Sequence, residues 1–154
     1  MGVFAFMNRE IVKSTGAVHE NAQIILKSDG QEVKLGFDQI TQLGEKEFTA
    51  IFDSSDTKPQ EHSYTGVPLM NIIKELNVDI ENIEQIIVRG IDGYTVALNP
   101  KEVMEEDNVY LAYKLNGKLL KGKQKGGSGP YQIIIRKDEF SQRWCKFVVE
   151  IELK

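Results

Sequence analysis

IIVRGIDGYTVALNPKEVMEEDNVYLAYKLNGKLL, residues 86–120, is the stretch whose reading decides the fold of this 154-residue chain. Ile86, Ile87 and Val88 form a β-branched run that leads to Asp92-Gly93, and an apolar pattern resumes over residues 95–98, which predicts two strands joined by a tight turn. Asn99 can cap a helix, and Pro100 suits the first helical position because the missing N–H there has no partner to lose. Glu102 stands where a capping-box carboxylate reaches back. Val109, Leu111, Tyr113 and Leu115 then alternate as a third strand, and Asn116-Gly117 supplies the positive φ angles of a two-residue hairpin. These signals agree with one another and predict a compact α+β arrangement.

The same grammar extends outward. Residues 24–27, the Ser28-Asp29-Gly30 turn, and alternating Val33, Leu35 and Phe37 predict a β-hairpin. Asp38 is a plausible cap for a short helical turn that contains Ile40 and Leu43 and stops at Gly44. Residues 47–52 read as a strand, and the all-polar DSSDTKPQEHS, residues 53–63, as a surface loop and a candidate pocket rim. Leu69, Ile72, Ile73 and Leu76 have helical spacing. Beyond the central stretch, residues 118–129 form a basic, glycine-rich loop and residues 131–135 a strand. In the last strand Cys145, Phe147, Val149, Ile151 and Leu153 alternate as its inward face. Residues 1–21 show no clear period and read as an N-terminal arm, with 22–154 as a single domain.

Composition narrows the function classes. With 41% hydrophobic and 27% charged residues the chain is an ordinary soluble globular domain. No segment approaches the ~20 apolar residues that span a bilayer. The net charge of −4 has interspersed signs and gives no reason to expect nucleic acid or an anionic membrane as partner. Cys145 is the only cysteine, which excludes an intramolecular disulfide and any cysteine-rich metal site. The N-terminal MGVFAFMNREIVK has no basic leader and no cleavage site, so it does not read as a signal peptide.

Three groups could carry chemistry. In the loop after Asn116-Gly117, Lys118, Lys121, Lys123 and Lys125 beside glycines either cradle an anion or form a solvated face. Its GxxxxGK spacing is not a nucleotide loop, because Gln124 replaces the required hydroxyl residue and no helix follows. Asp53, Asp56, Glu61 and His62 match no metal-loop spacing, and no metal is expected. Tyr94, directly after the Asp-Gly turn, either aims its hydroxyl into a pocket or covers the core edge.

The strand into DGY, the helix after Asn-Pro and the run LAYKLNGKLL resemble the molybdopterin-binding domain of the sulfite oxidase family. YTGVPLMNIIKEL before them, and GSGPYQIII and CKFVVEIEL after them, extend the resemblance over residues 22–153 in the same order. The resemblance implies a sulfite-oxidase-like fold of mixed β-sheets with a few short helices, and a pterin cofactor such as molybdopterin. It places Tyr94 on the family's active-site tyrosine, the candidate catalytic residue, and Lys146 on the lysine of a C-terminal Lys-Trp pair near the pterin, with Phe147 in place of Trp. It also exposes departures. The loop after residues 48–52, which supplies a molybdenum-ligating cysteine in the family's enzymes, reads FTAIFDSSD here. The family's His-Gly-x-Pro-x-Arg segment corresponds to residues 127–132, so its histidine and arginine are absent, with Gln132 at the arginine position. Members of the family are often exported, so an export signal already removed stays open for localisation.

The sequence therefore predicts a domain that binds a pterin or another anionic small molecule without the usual molybdenum catalysis. Its expected ligand-binding residues are Asp53, Ser54, Ser55, Asp92, Tyr94, Lys125, Gly127, Ser128, Gly129, Arg143 and Lys146, converging on one concavity. Two alternatives remain: a divergent molybdopterin-dependent oxidoreductase, and a protein-interaction module using the arm or the acidic loop.

Overall fold

The computed structural model describes residues 22–56 and 58–154; the N-terminal arm lies outside the described residues. Among the described residues, ten strands and three short helices follow in chain order. They are β1 (Gln23–Ser28), β2 (Gln31–Gly36), α1 (Phe37–Thr41), β3 (Lys46–Phe52), β4 (Gln60–Pro68), α2 (Leu69–Ile73), β5 (Ile86–Gly90), β6 (Thr95–Leu98), α3 (Pro100–Met104), β7 (Val109–Leu115), β8 (Lys118–Leu119), β9 (Gln132–Ile135) and β10 (Val148–Leu153). The first sheet runs β2-β1-β10-β5-β6, parallel only between β1 and β10. The second runs β3-β4-β7, and the far edge of β7 is shared by β9 along Val109–Ala112 and by β8 at Lys114 and Leu115. Ile24, Leu26, Val88 and Ile151 from one sheet and Val67, Leu111 and Ile133 from the other belong to one buried core. No described helix is long and apolar enough to cross a membrane.

The local chemistry read from residues 86–120 is present. Asn99 Oδ1 accepts from the Lys101 N–H at 2.9 Å, and Glu102 Oε2 accepts from the Asn99 N–H at 3.1 Å, closing the box at the start of α3. Asn116 and Gly117 take φ of 52° and 79°, the left-handed pair a tight hairpin requires.

Several expectations need correction. The polar loop is only residues 53–59, because Gln60–Ser63 pair with residues 49–52 in the β3–β4 hairpin. This end of β4 is paired by β3 alone, since β7 joins it only from Tyr64 onward, so its polar side chains can face solvent while the backbone is paired. The α1 cap is Gly36 rather than Asp38, with the Gly36 N–H donating to Gln39 Oε1 at 2.9 Å. The alternation expected in β7 is overridden, because Val109 to Tyr113 are all buried: a central strand is covered on both faces. The last strand starts only at Val148, with a register shift between Val148 and Glu150, and Phe147 has φ 56°. The bulge brings Val148 rather than Val149 into the core, and Lys146 sits on the irregular segment before the strand.

Candidate functional site

The split edge of β7 creates the main concavity. Where its partner changes from β9 to β8, the β7–β8 hairpin and the start of β9 diverge around a cleft of about 620 Å³. Phe52, His62 and Tyr64 form one wall, and Leu115, Leu119, Leu120 and Gln132 line the interior. Lys118, Lys121, Ser128 and Lys146 supply polar groups around it. The aromatic wall is held in place: Tyr64 stacks with Phe48 at 6.0 Å and meets His62 and Trp144 edge-on at 6.0 Å. Burial pushes the Tyr64 hydroxyl up to about 12, so it is a neutral donor at physiological pH.

The loop that follows β8 is ordered by its own backbone. The Gly127 N–H donates to Gly122 O at 3.0 Å, and the Gly129 N–H to Lys121 O at 2.8 Å. A Cβ on Gly127 would collide with the Lys121 carbonyl, and one on Gly129 would lie 2.6 Å from Leu120 Cβ. These glycines therefore let two backbone segments touch. The loop also divides its lysines between two faces. Lys118 and Lys121 line the main cleft, whereas Lys123 lies 5.8 Å over the Phe147 ring and Lys125 borders an apolar groove of about 300 Å³ with Ile91 and Pro130.

A second cleft of about 380 Å³ adjoins the first and shares Phe52 and Lys146 with it. Asp53, Ser54 and Ser55 form one side, Phe140, Ser141 and Gln142 the other. The sides are clamped together, the Asp53 N–H donating to Ser141 Oγ at 2.8 Å and the Ser141 N–H to Asp53 O at 2.9 Å. Lys146 is the bridge between the two clefts.

The expected site residues are thus only partly brought together. Asp53, Ser54, Ser55, Gly127, Ser128 and Lys146 line the two adjoining clefts. Lys125 and Gly129 line the separate apolar groove. Asp92 and Tyr94 line none of these three concavities: Asp92 Oδ1 accepts from the Tyr94 N–H at 3.1 Å, and the Tyr94 hydroxyl donates to the Gln142 carbonyl. Arg143 is bound to Asp138 through Nε at 3.0 Å and Nη2 at 2.7 Å, and its Nη2 also lies 2.7 Å from Glu102 Oε1, a charge contact off the hydrogen-bonding axis. Those two carboxylates raise its pKa further and fix it as a structural crosslink. Sequence reading did not single out Tyr64, Phe52 or Gln132 as ligand contacts. Their signal was faint: the cleft depends on β9 and β8 sharing one edge, and nothing local encodes that pairing.

The fold is an α+β domain with a cleft flanked by paired strands, walled by aromatic rings and bordered by lysines. The chain belongs to the family described as the oxidoreductase molybdopterin binding domain, whose profile matches residues 24–154. Among solved structures it is similar to the sulfane dehydrogenase SoxCD from Paracoccus pantotrophus, with a TM-score of 0.73 and 17% identity over 88% of this chain. The chain spans 38% of the length of that neighbour. No curated protein matches the sequence.

The donor set does not fit a thiolate-ligated molybdenum. Cys145 is fully buried, with Sγ 3.7 Å from the Tyr94 carbonyl and 3.6 Å from that of Lys146. Burial, reinforced by the charge of Asp92, pushes its thiol up to about 12. Asp53, Ser54 and Ser55 offer hard oxygen ligands at the rim, which are poor substitutes for a soft thiolate. Among the described residues no three His, Cys, Asp or Glu side chains converge on a metal position.

Proposed function

We propose that this domain binds an anionic small molecule of pterin type in the cleft between β8, β9 and Lys146, without a cysteine-ligated molybdenum. One observation carries the reading. In a chain of net charge −4, the lining of the main cleft contains Lys118, Lys121, Lys146 and His62 and no carboxylate. None of the three lysines forms an ion pair with another described residue. Their charge is therefore available to a ligand, and the aromatic wall suits a planar ring. The family supplies the ligand class, since its members bind a pterin cofactor.

Titration with a carboxylated pterin, followed by the ligand's fluorescence at increasing salt, tests the reading. Each exposed lysine contributes a few tenths to about 1 kcal/mol, and affinity falls as salt rises. The double variant Lys118→Glu, Lys121→Glu abolishes binding if the cleft is the site. Unchanged affinity in that variant overturns the assignment, and stoichiometric molybdenum in protein purified from its native host overturns the absence of the metal.

A further inference from the structure

The floor of the main cleft holds two polar groups that the fold leaves without partners. Gln132, at the first position of β9, is 3% exposed, and its side-chain amide forms no hydrogen bond with any described residue. Tyr64, on β4, is also 3% exposed, and its hydroxyl forms none either. Both residues line the same cleft. Neither polar group is wholly enclosed, since among the described residues the one fully buried side-chain polar atom without a hydrogen bond is Glu102 Oε1, so both stay open to whatever fills the cleft. β7 holds the two strands apart, Gly66 of β4 and Gln132 of β9 both opposing Ala112, so the two groups reach the cleft from different strands.

On the basis of the ligand-binding reading above, we infer that Gln132 determines which ligand this cleft accepts, by reading a lactam edge, an N–H beside a C=O, on a planar ring. The argument is one of complementarity. A glutamine amide presents a donor and an acceptor side by side, and its full complement is an acceptor beside a donor. A phosphate or sulfate offers acceptors alone and would leave Gln132 Oε1 unpaired. An oxyanion therefore belongs with Lys118 and Lys121, and the ring edge belongs at Gln132. The Tyr64 hydroxyl, neutral and free to rotate, supplements either polarity at the neighbouring ring position. A site built from buried polar groups discriminates strongly, because an analogue lacking the matching edge leaves those groups desolvated and unpaired.

The test compares two planar carboxylates, a carboxylated pterin and naphthoate, which share charge and approximate ring size while only the pterin carries the lactam edge. Wild-type protein is expected to prefer the pterin, and Gln132→Met to lose that preference by about tenfold, the order of one hydrogen-bonded pair. Naphthoate affinity should be unchanged or higher. Because methionine is close in volume and the amide is not a fully enclosed unpaired group, the melting temperature should hold. Independently of any variant, the Gln132 side-chain amide resonances of the wild-type protein should shift with the pterin and remain still with naphthoate. Equal binding of both probes, with the lysine charge reversal still abolishing it, overturns the role of Gln132 and leaves the anion cleft standing. Failure of both probes to bind wild-type protein overturns both readings.

Discussion

The Tyr94 hydroxyl donates a 2.6 Å hydrogen bond to the Gln142 carbonyl, tying the turn after β5 to the segment that walls the smaller cleft. Tyr94 is 49% exposed, so the bond is worth less than a buried one. Its consequence is positional, because Ser141, one residue before Gln142, clamps the Asp53 backbone.

Tyr94→Phe should therefore lower stability by no more than about 1 kcal/mol while loosening that clamp. Amide exchange at Ser141, whose N–H donates to the Asp53 carbonyl at 2.9 Å, is the sensitive readout. Faster exchange there with an almost unchanged melting temperature is expected. Unaltered protection at Ser141 would show that the tyrosine does not hold this segment.

Gly127→Ala probes the loop beside the main cleft. The added methyl meets the Lys121 carbonyl and its Cβ, so the loop must move away from the backbone that carries one of the cleft's lysines. A cost of about 1–3 kcal/mol is expected from overpacking, together with weaker binding of a carboxylated pterin. Gly126→Ala, whose Cβ would meet nothing within 4 Å but whose φ is 75°, is the control for backbone strain alone. Equal losses in the two variants would refute the close-approach account.

Much of the fold was legible because its cues are local. Asn99, Pro100 and Glu102 specify the start of α3 within four consecutive positions, and Asn116-Gly117 specifies the β7–β8 turn by itself. The site was less legible because it depends on pairings that short-range pattern does not encode. Gln60–Ser63 look like loop until β3 is known to lie beside them, and Lys118 and Lys125 look equivalent until the loop folds its lysines onto two faces. The bulge between Val148 and Glu150 likewise breaks, at one position, an alternation that the sequence displays cleanly: Val148 replaces Val149 in the core while Cys145, Phe147, Ile151 and Leu153 stay buried.

Cys145 should be inert in the native state. Its thiol is fully buried and is pushed from about 9 to about 12, so almost none is thiolate at mild alkaline pH. A disulfide reagent at about pH 8 should react only after denaturation, when the ordinary thiol value returns. The sign for stability follows. A folded value above the unfolded one means that this contribution is complete below about pH 9 and is lost as pH climbs toward about 12. Cys145→Ala should flatten that alkaline decline, and rapid labelling of native protein would contradict the burial.

On the outer face of the first sheet, Glu150 accepts from two cations on neighbouring strands. Lys27 Nζ lies 2.6 Å from its Oε1, and Arg89 pairs with its Oε2 while reaching Glu152 Oε1 at 2.9 Å. The hydrogen bond from Lys27, and after it that from Arg89, holds the Glu150 carboxyl below the ordinary carboxylate range despite partial burial. A folded value below the unfolded one means that the stabilisation is fully present above about pH 4.3 and disappears as acid takes the pH down through the folded value. Melting temperatures measured from neutral pH downward should therefore fall more steeply below that point in wild-type protein than in Glu150→Gln, which has no charge to lose. The two curves should converge in strong acid. Because Lys27 is substantially exposed, added salt should narrow their separation at neutral pH. Parallel curves across the whole range would mean that Glu150 titrates alike in the folded and unfolded chains, and that the ladder of charges joining β1, β10 and β5 leaves the acid stability of the domain unchanged.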